Sequence, residues 1–420
     1  MESLPPDITL DILSRLPVES VLQCRLVCKT WRTVLRLSST FFGDMHLGRQ
    51  LLQFDDNDQK YYNNHPENGG VVAAAAKKVG LGLLFSIGFS KGERLFARLY
   101  YYGDYDEIKN IDLQSYKKLP RINHHPMTKS CLDAIVGSCN GLVCFLSKPH
   151  NRNGEPVYIC NPITREYINL PRFHLAYSVK DRIVSGFGYH PSTNEYKVVR
   201  IYYPFYDSPG VVHVYTLGGG SGWRYKGEIT HKLCFTGVLV NGALHWLDNN
   251  EQLNIVAFDL ADEEFSLLPS PPCLSGQIAF FRLQVLGGCL CVVHKVQGGE
   301  PVDIWSLKKK KNRNSISYDV KEQEYHSWSW SREFTIARGD RDRNDTYQPF
   351  ALTKSNEILL WYKHCILSCY DPKTATLKKL WHDDHSLVKC QAILHMNSFV
   401  SLKAMGEKSK RRRYHEHKVV

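Results

Sequence analysis

Ser138-Cys139-Asn140-Gly141-Leu142-Val143-Cys144 is one of two stretches that decide the fold of this chain, and Val240-Asn241-Gly242-Ala243-Leu244-His245-Trp246 is the other. In both, Asn-Gly separates two apolar runs. This dipeptide readily adopts the positive φ angles that a two-residue β-hairpin requires. Looser copies occur at 286–290 and 355–361. Each stretch therefore predicts an antiparallel hairpin.

The spacing of these turns predicts the architecture. Asn140 and Asn241 are 101 residues apart, and Gly288 follows Asn241 by 47. A period of about 50 residues with about four strands per unit is typical of a kelch-like β-propeller. We expect a mainly antiparallel β-propeller of about six blades over residues 80–400. A β-sandwich or a pair of smaller β domains is the alternative.

A second motif recurs with a similar period. A strand ends in an acid or amide, turns, and leads to a strand that closes on Leu-Pro. The acid or amide is Asp112, Asn161 or Asp259, and a fourth copy at Asp371 closes on Leu-Trp instead. This recurrence supports a repeating β domain over a single irregular one.

The N-terminal segment 4–37 has a different period and predicts three short helices. Pro5-Pro6-Asp7 is typical of a first helical turn, where proline loses no needed hydrogen bond and the acid complements the helix dipole. Ile8 and Ile12 follow at helical spacing, and Pro17 ends the run. Three helices of this length bury too little surface to be stable alone. We therefore expect them to dock on a partner or on the rest of the chain.

Four N-terminal segments, 4–8, 12–18, 20–22 and 25–32, follow one another with the spacing of a known motif. They resemble an F-box, which in SCF-type ubiquitin ligases binds a Skp-family adaptor and, through it, cullin. A helical cap packed on the chain's own β domain is the alternative. The resemblance implies that the adaptor-binding residues are among Leu4, Pro5, Ile8, Ile12, Leu16, Val21, Leu26, Val27 and Trp31.

The body of the chain carries a second resemblance. Residues 136–144, 160–165, 186–199 and 240–247 are similar to the F-box-associated domain of plant F-box/kelch-repeat proteins. The resemblance implies an α+β multidomain chain that begins with a small three-helix F-box. The expected divisions are an F-box at 1–45, a linker or variable segment at 46–79, a propeller-like domain at 80–400 and a basic, disordered tail at 401–420.

Charge and cysteine content narrow the class of protein. The net charge is +11, but nine of the excess charges lie within 308–313 and 407–420. Nucleic-acid binding proteins more often carry their positive charge over a folded face, so we expect no nucleic-acid partner.

The apolar run 79–89 is shorter than the ~20 residues that span a bilayer, and we expect no membrane association. The 13 cysteines lack any Cys-x-x-Cys pair and indicate reduced thiols without a metal site, in the cytoplasm and/or nucleus. The tail could also act as a nuclear import signal.

A propeller presents loops around a central channel, a geometry that suits recognition of another macromolecule. Clustered tyrosines are frequent at interfaces, although ordinary strand packing explains them equally well. No nucleophile or cofactor motif has the required spacing; residues 137–141, for example, depart from Gly-x-Ser-x-Gly. The candidate substrate-binding residues are Tyr101, Tyr102, Tyr203, Phe205 and Tyr206.

These features predict a non-catalytic, cofactor-free substrate-recognition subunit of an SCF-type E3 ubiquitin ligase. The helices would dock the adaptor, and the β domain would bind the protein targeted for ubiquitination. Two alternatives remain: a β-propeller enzyme or lectin with a helical cap, and an F-box protein that docks its adaptor without ubiquitinating anything.

Overall fold

The structure is a computed structural model that describes sixteen ranges of the chain. The described residues are 5–35, 41–51, 81–91, 94–103, 108, 121–122, 134–146, 157–172, 182–205, 208–249, 254–274, 279–296, 301–309, 328–337, 346–381 and 387–411.

Helices come first along the chain. They are α1 (Pro6–Ser14), α2 (Val18–Val27), α3 (Lys29–Val34) and α4 (41–51). Pro5 and Pro17 occupy the N-caps of α1 and α2, where a missing N–H costs no helical hydrogen bond. The extended residue Cys28 separates α2 from α3, and its sulfur accepts the backbone N–H of Trp31 at 3.3 Å. The three helices predicted from the sequence are confirmed, and α4 adds a fourth.

The described β domain consists of antiparallel strands grouped in six sheets. The strands are β1 (Leu81–Lys91), β2 (Arg94–Tyr102), β3 (Arg121–Ile122), β4 (Ala134–Cys139), β5 (Leu142–Leu146), β6 (Val157–Cys160), β7 (Glu166–Asn169), β8 (Arg182–His190), β9 (Glu195–Tyr203), β10 (Gly210–Thr216), β11 (Trp223–Ile229), β12 (Leu233–Val240), β13 (Ala243–Asp248), β14 (Ile255–Asp259), β15 (Phe265–Leu268), β16 (Ala279–Leu286), β17 (Cys289–Val296), β18 (Val302–Lys309), β19 (Trp328–Ile336), β20 (Tyr347–Leu352), β21 (Ile358–Tyr362), β22 (Ile366–Asp371), β23 (Thr376–Trp381), β24 (Leu387–Met396) and β25 (Lys410–Arg411).

The six sheets are the blades of a closed propeller. Their innermost strands, β24, β4, β8, β12, β16 and β20, contact one another in that order, and β20 returns to β24. Blade one is built from both ends of the domain, since β24 pairs with β1 in the order β24-β1-β2-β3. Blades two to six begin at β4, β8, β12, β16 and β20. The six-bladed propeller expected from the repeat spacing is confirmed.

The Asn-Gly turns join the first and second strands of their blades, as the sequence predicts. Asn140 and Gly141 have φ angles of 48° and 85°, and Asn241 and Gly242 have 50° and 78°. These are the positive values that a two-residue hairpin turn needs and that Asn and Gly tolerate best.

The second motif lies at the turns between third and fourth strands. Asn161 Oδ1 accepts the backbone N–H of Ile163 at 2.8 Å, and Asp259 Oδ1 accepts that of Ala261 at 2.7 Å. Such bonds from a side chain to the backbone two residues later stabilise tight turns, which explains why an acid or amide recurs there. Asp112 lies outside the described residues.

The Leu-Pro pair that ends the motif joins neighbouring blades. Trp223, on the outermost strand of blade three, donates its Nε1–H to the carbonyl of Pro171 at 2.8 Å. Trp330, on the outermost strand of blade five, does the same to Pro269 at 2.6 Å. Both prolines follow the fourth strand of the preceding blade, so the Leu-Pro ending supplies an acceptor between blades.

Two of the predicted boundaries differ from the structure. The linker was expected from residue 46, but α4 continues to 51 and buries His46 and Leu47. A disordered tail was expected from residue 401, but the C-terminal segment (397–411) is packed on the propeller. Leu402 is fully buried there.

The C-terminal segment is held by buried polar groups of blade two and by blade three. The Glu166 carboxylate accepts the hydroxyl of Ser401 at 2.8 Å, and Asn161 Nδ2 donates to the carbonyl of Val400 at 2.7 Å. Farther along, the Glu407 carboxylate accepts the backbone N–H of Gly218 at 2.8 Å. β25 then pairs with β7 as a fifth strand of blade two. Net charge alone cannot reveal these contacts, because they join residues about 190 to 240 positions apart.

Candidate partner-binding surfaces

One face of the helices is covered by the chain's own propeller. Val21, Leu35 and Phe42 form a buried cluster with Phe399 of the C-terminal segment. The ring of Phe399 lies 5.7 Å from that of Phe42, measured between centroids. The described helices and the propeller therefore share a small core.

Helix α4 also contacts the first two helices through polar groups. His46 Nε2 donates to the carbonyl of Leu16 at 2.9 Å, and burial lowers the pKa of His46. Arg49 forms an ion pair with Asp11 of α1, and its hydrogen bond holds the pKa of Asp11 below the ordinary value. Because α4 follows the F-box motif, motif-based reasoning did not include these contacts.

The opposite face of the helices exposes large apolar side chains. Ile8 and Ile12 are 47% and 46% exposed, and Leu26 and Val27 are 69% and 68% exposed. Ile8 and Ile12 are one turn apart and project from the same side of α1. Pro5 is also exposed. Large apolar side chains left uncovered on a small helical unit are typical of a surface that binds a partner.

The other predicted adaptor-binding residues occupy different environments. Val21 is fully buried in the cluster around Phe399, so it cannot contact a partner directly. Leu16 and Trp31 are half-buried and pack against that cluster. Leu4 lies outside the described residues. The spacing of apolar residues identifies the helices as apolar on both faces. It does not distinguish the face that packs on the propeller from the face that is exposed.

Most of the aromatic candidates on the propeller are packed in strands rather than exposed on loops. Tyr203 is 1% exposed; its hydroxyl donates to the carbonyl of His231 at 2.8 Å and accepts the N–H of Leu233 at 3.0 Å. Tyr101 is buried, and Tyr102 is half-buried at the end of β2. Of the two interpretations that the sequence left open, ordinary strand packing describes Tyr101 and Tyr203, whose rings are buried.

Phe205 is the candidate that fits an exposed loop. It follows β9, and its side chain is 62% exposed. Tyr206 lies outside the described residues. Exposure at one aromatic residue does not define a binding surface.

The propeller has a cavity of about 410 Å³ on its axis. Its lining comes from the early part of inner strands, such as Ile135 on β4 and Cys234 on β12, and from His364 in the turn between β21 and β22. The helices lie at the other end of these strands, where Phe399 follows β24. The cavity therefore lies toward the propeller face opposite the helices. Sequence reasoning did not find this cavity, because its lining comes from strands of five blades.

Neither a metal-binding cluster nor a membrane-spanning helix occurs among the described residues. In those residues, no group of three or more His, Cys, Asp or Glu side chains is arranged to hold a metal ion. None of the described helices is both long enough and apolar enough to cross a membrane.

The N-terminal helices pack on a six-bladed propeller, and comparison with known families identifies both parts. Residues 1–40 match the F-box-like family, and residues 109–401 match the F-box associated beta propeller domain family. The chain belongs to the F-box associated beta propeller family and carries an F-box at its N-terminus.

Its relatives include several Arabidopsis thaliana proteins. It is 29% identical to F-box protein At3g07870 over 90% of this chain and 88% of the relative. It is 25% identical to F-box/kelch-repeat protein At3g23880 over 73% of this chain and 76% of the relative. Among solved structures, prolyl oligopeptidase B from Galerina marginata aligns with 85% of this chain and 56% of its own at 8% identity, with a TM-score of 0.36. That last similarity is too low to support any functional inference.

Proposed function

We propose that this chain is the substrate-recognition subunit of an SCF-type E3 ubiquitin ligase. The F-box would dock a Skp-family adaptor, and through it cullin, while the propeller binds the protein to be ubiquitinated. The carrying observation is the exposure of Ile8, Ile12, Leu26 and Val27 on helices whose other face is already packed on the propeller.

The packing of the helices supports the division of labour between the two domains. Because Phe399 and Asn397 hold the F-box on one propeller face, an adaptor on the outer side of α1 and α2 would leave the opposite face free for a target. This chain would then contribute no chemistry of its own. It would raise the local concentration of the target near the ubiquitin-transferring subunits, which is catalysis by proximity. Such a complex would act in the cytoplasm, the nucleus or both.

The proposal assigns adaptor binding to the exposed residues and a structural role to the buried ones. Ile8, Ile12, Leu26, Val27 and Pro5 would contact the adaptor, with Leu16 and Trp31 at the edge of that surface. The functional F-box unit would then extend to residue 51, because α4 is part of the same fold.

Co-purification with a Skp-family adaptor tests the proposal. We expect the wild-type chain to retain the adaptor and the Ile8→Asp/Ile12→Asp variant to lose it, because two carboxylates would be buried without partners. Leu267→Asp is the matched control, since Leu267 is 52% exposed on β15 of the propeller. Equal recovery of the adaptor with all three proteins would reject the proposal, provided that their unfolding temperatures agree.

A further inference from the structure

The axial cavity contains a guanidinium group that pairs with no carboxylate of the described residues. Arg282 lies on β16, the inner strand of blade five, and its side chain is exposed where it lines the cavity. Arginine stays charged in proteins, so Arg282 brings a positive charge to the cavity. Among the described lining residues there is no Asp or Glu, and the described part of the chain offers Arg282 no ion pair. A ligand that enters the cavity would therefore meet an uncompensated positive charge.

An exposed aromatic ring lines the same cavity. Phe235 is 58% exposed and lies in a bulge of β12, where the pairing with β13 shifts between Cys234 and Val238. Its φ angle is 63°, in the left-handed region that bulky residues rarely adopt. Bulges often redirect a side chain beside a binding site, and strained backbone is concentrated at such sites. The strand thus presents this ring to solvent instead of packing it between blades.

The rest of the lining combines flat apolar walls with uncharged polar groups. Phe350 and Trp361 are buried residues that contribute to the wall. Gln284 and Gln348 add amides, and Gln348 Nε2 donates to Nδ1 of His364 at 2.8 Å. One cation, apolar walls and a few polar groups form the usual composition of a site for a small organic molecule. The volume of about 410 Å³ also falls within the range of such sites.

We propose that the axial cavity binds a small organic carboxylate with an aromatic or aliphatic body. Its carboxylate would pair with the guanidinium of Arg282, and its body would pack against Phe235 and the apolar wall. Charge complementarity sets the sign of the ligand, and the volume of about 410 Å³ matches a small molecule. The site is independent of the proposed ligase function, because neither the adaptor nor a target takes part in it.

Titration of the purified full-length chain with a pair of isosteric probes tests the site. The acid is 3-phenylpropionate, the neutral control is 3-phenylpropanamide, and binding is followed by ligand-observed NMR. We expect the acid to bind about tenfold more tightly than the amide, since a charge-assisted pair of hydrogen bonds is lost in the amide. Arg282→Gln should abolish this preference, and Arg282→Lys should retain part of it.

Matched variants inside and outside the cavity distinguish binding at this site from nonspecific attraction of the probe to the protein surface. Arg332→Gln removes another exposed arginine, which pairs with Asp303 outside the cavity, and should leave the preference intact. Phe235→Ala should weaken the binding of the acid and of the amide to the same extent. Phe205→Ala, at a similarly exposed phenylalanine, should change the binding of neither probe.

Three results would overturn the proposal. The first is the absence of binding at millimolar probe, and the second is an equal affinity for acid and amide. The third is tighter binding of N-acetylglutamate α-amide than of 3-phenylpropionate, which would indicate that the cavity receives an acidic side chain of a protein segment.

Discussion

The Asn397 side chain donates a hydrogen bond of 2.6 Å from Nδ2 to Oε1 of Glu19, and it thereby joins the propeller to the second helix of the F-box across 378 positions of sequence. Asn397 directly follows β24, the strand that closes the propeller ring. The same segment supplies Phe399 to the core of the helices. Closure of the ring and seating of the F-box thus depend on one stretch of chain.

Replacing Phe399 should loosen the helices without opening the propeller. Its side chain is 2% exposed, and deletion of a buried aromatic ring costs about 3 kcal/mol. In Phe399→Ala, amide hydrogen exchange in α2 should accelerate by about a hundredfold, since exchange there reports local opening. Exchange in β13 and β14 should stay unchanged, as should all exchange in Phe205→Ala. Unaltered exchange in α2 would show that the helices do not depend on the propeller.

Glu263 should be essential for the packing of blade three on blade four. Its Oε1 lies 2.9 Å from the ammonium of Lys197, whose side chain is 4% exposed. Burial alone would raise the pKa of Glu263, but hydrogen bonds from Arg224, Lys197 and Lys226 lower it to about 2. Removing the Glu263 carboxylate leaves the buried Lys197 ammonium with Glu195, whose side chain is 41% exposed, as its remaining ionic partner among the described residues.

We therefore expect Glu263→Gln to lower the free energy of unfolding by about 3 kcal/mol, as measured by chemical denaturation. Glu228→Gln, at an exposed position on β11, should change it by less than about 0.5 kcal/mol. Similar denaturation midpoints for the two variants would contradict a structural role for the cluster.

Two buried histidines should make the protein less stable in mild acid. Burial lowers the pKa of His395 and of His245 to about 4, while an unfolded histidine titrates near 6.5. Between these values the unfolded chain binds more protons, so stability falls as the pH drops from about 6.5 to about 4. Above that window neither histidine affects the pH dependence. Each can account for a loss of up to about 3 kcal/mol.

His395→Gln tests this origin of the pH dependence. His395 Nδ1 lies 2.7 Å from the hydroxyl of Ser138, and its ring meets that of Tyr101 edge-on. The variant should be less stable at neutral pH, because this buried contact is altered. Its free energy of unfolding should nevertheless fall less steeply between pH 6 and pH 4, because the variant takes up about one proton fewer on unfolding. An unchanged slope would assign the acid sensitivity to other groups.

The sequence was informative where structure is local. Asn140, Asn241, Asn161 and Asp259 each form the turn that their own residue type favours, and their regular spacing was enough to predict the blades. Pro17 likewise marks both the end of α1 and the start of α2. In each case the deciding interaction spans only a few residues.

It was uninformative where contacts join distant segments. Nothing near Phe399 or Glu407 indicates that they pack against residues far away in the chain. Tyr203 lies in a tyrosine-rich stretch that suggests an interface, yet it is buried in the core between blades three and four. Arg282 and Phe235 carry no local motif, and only closure of the ring brings them to one cavity.

Hydroxyl-radical footprinting of the full-length chain, alone and with a Skp-family adaptor, tests the central claim most directly. Exposed apolar and aromatic side chains on both domains are oxidised in the free protein, so each domain serves as the control for the other. We predict that the adaptor protects Ile8, Ile12, Leu26 and Val27, and leaves Phe205 and Tyr225 on the propeller unprotected. Protection of the two propeller residues with continued oxidation of the four helical ones would contradict the account.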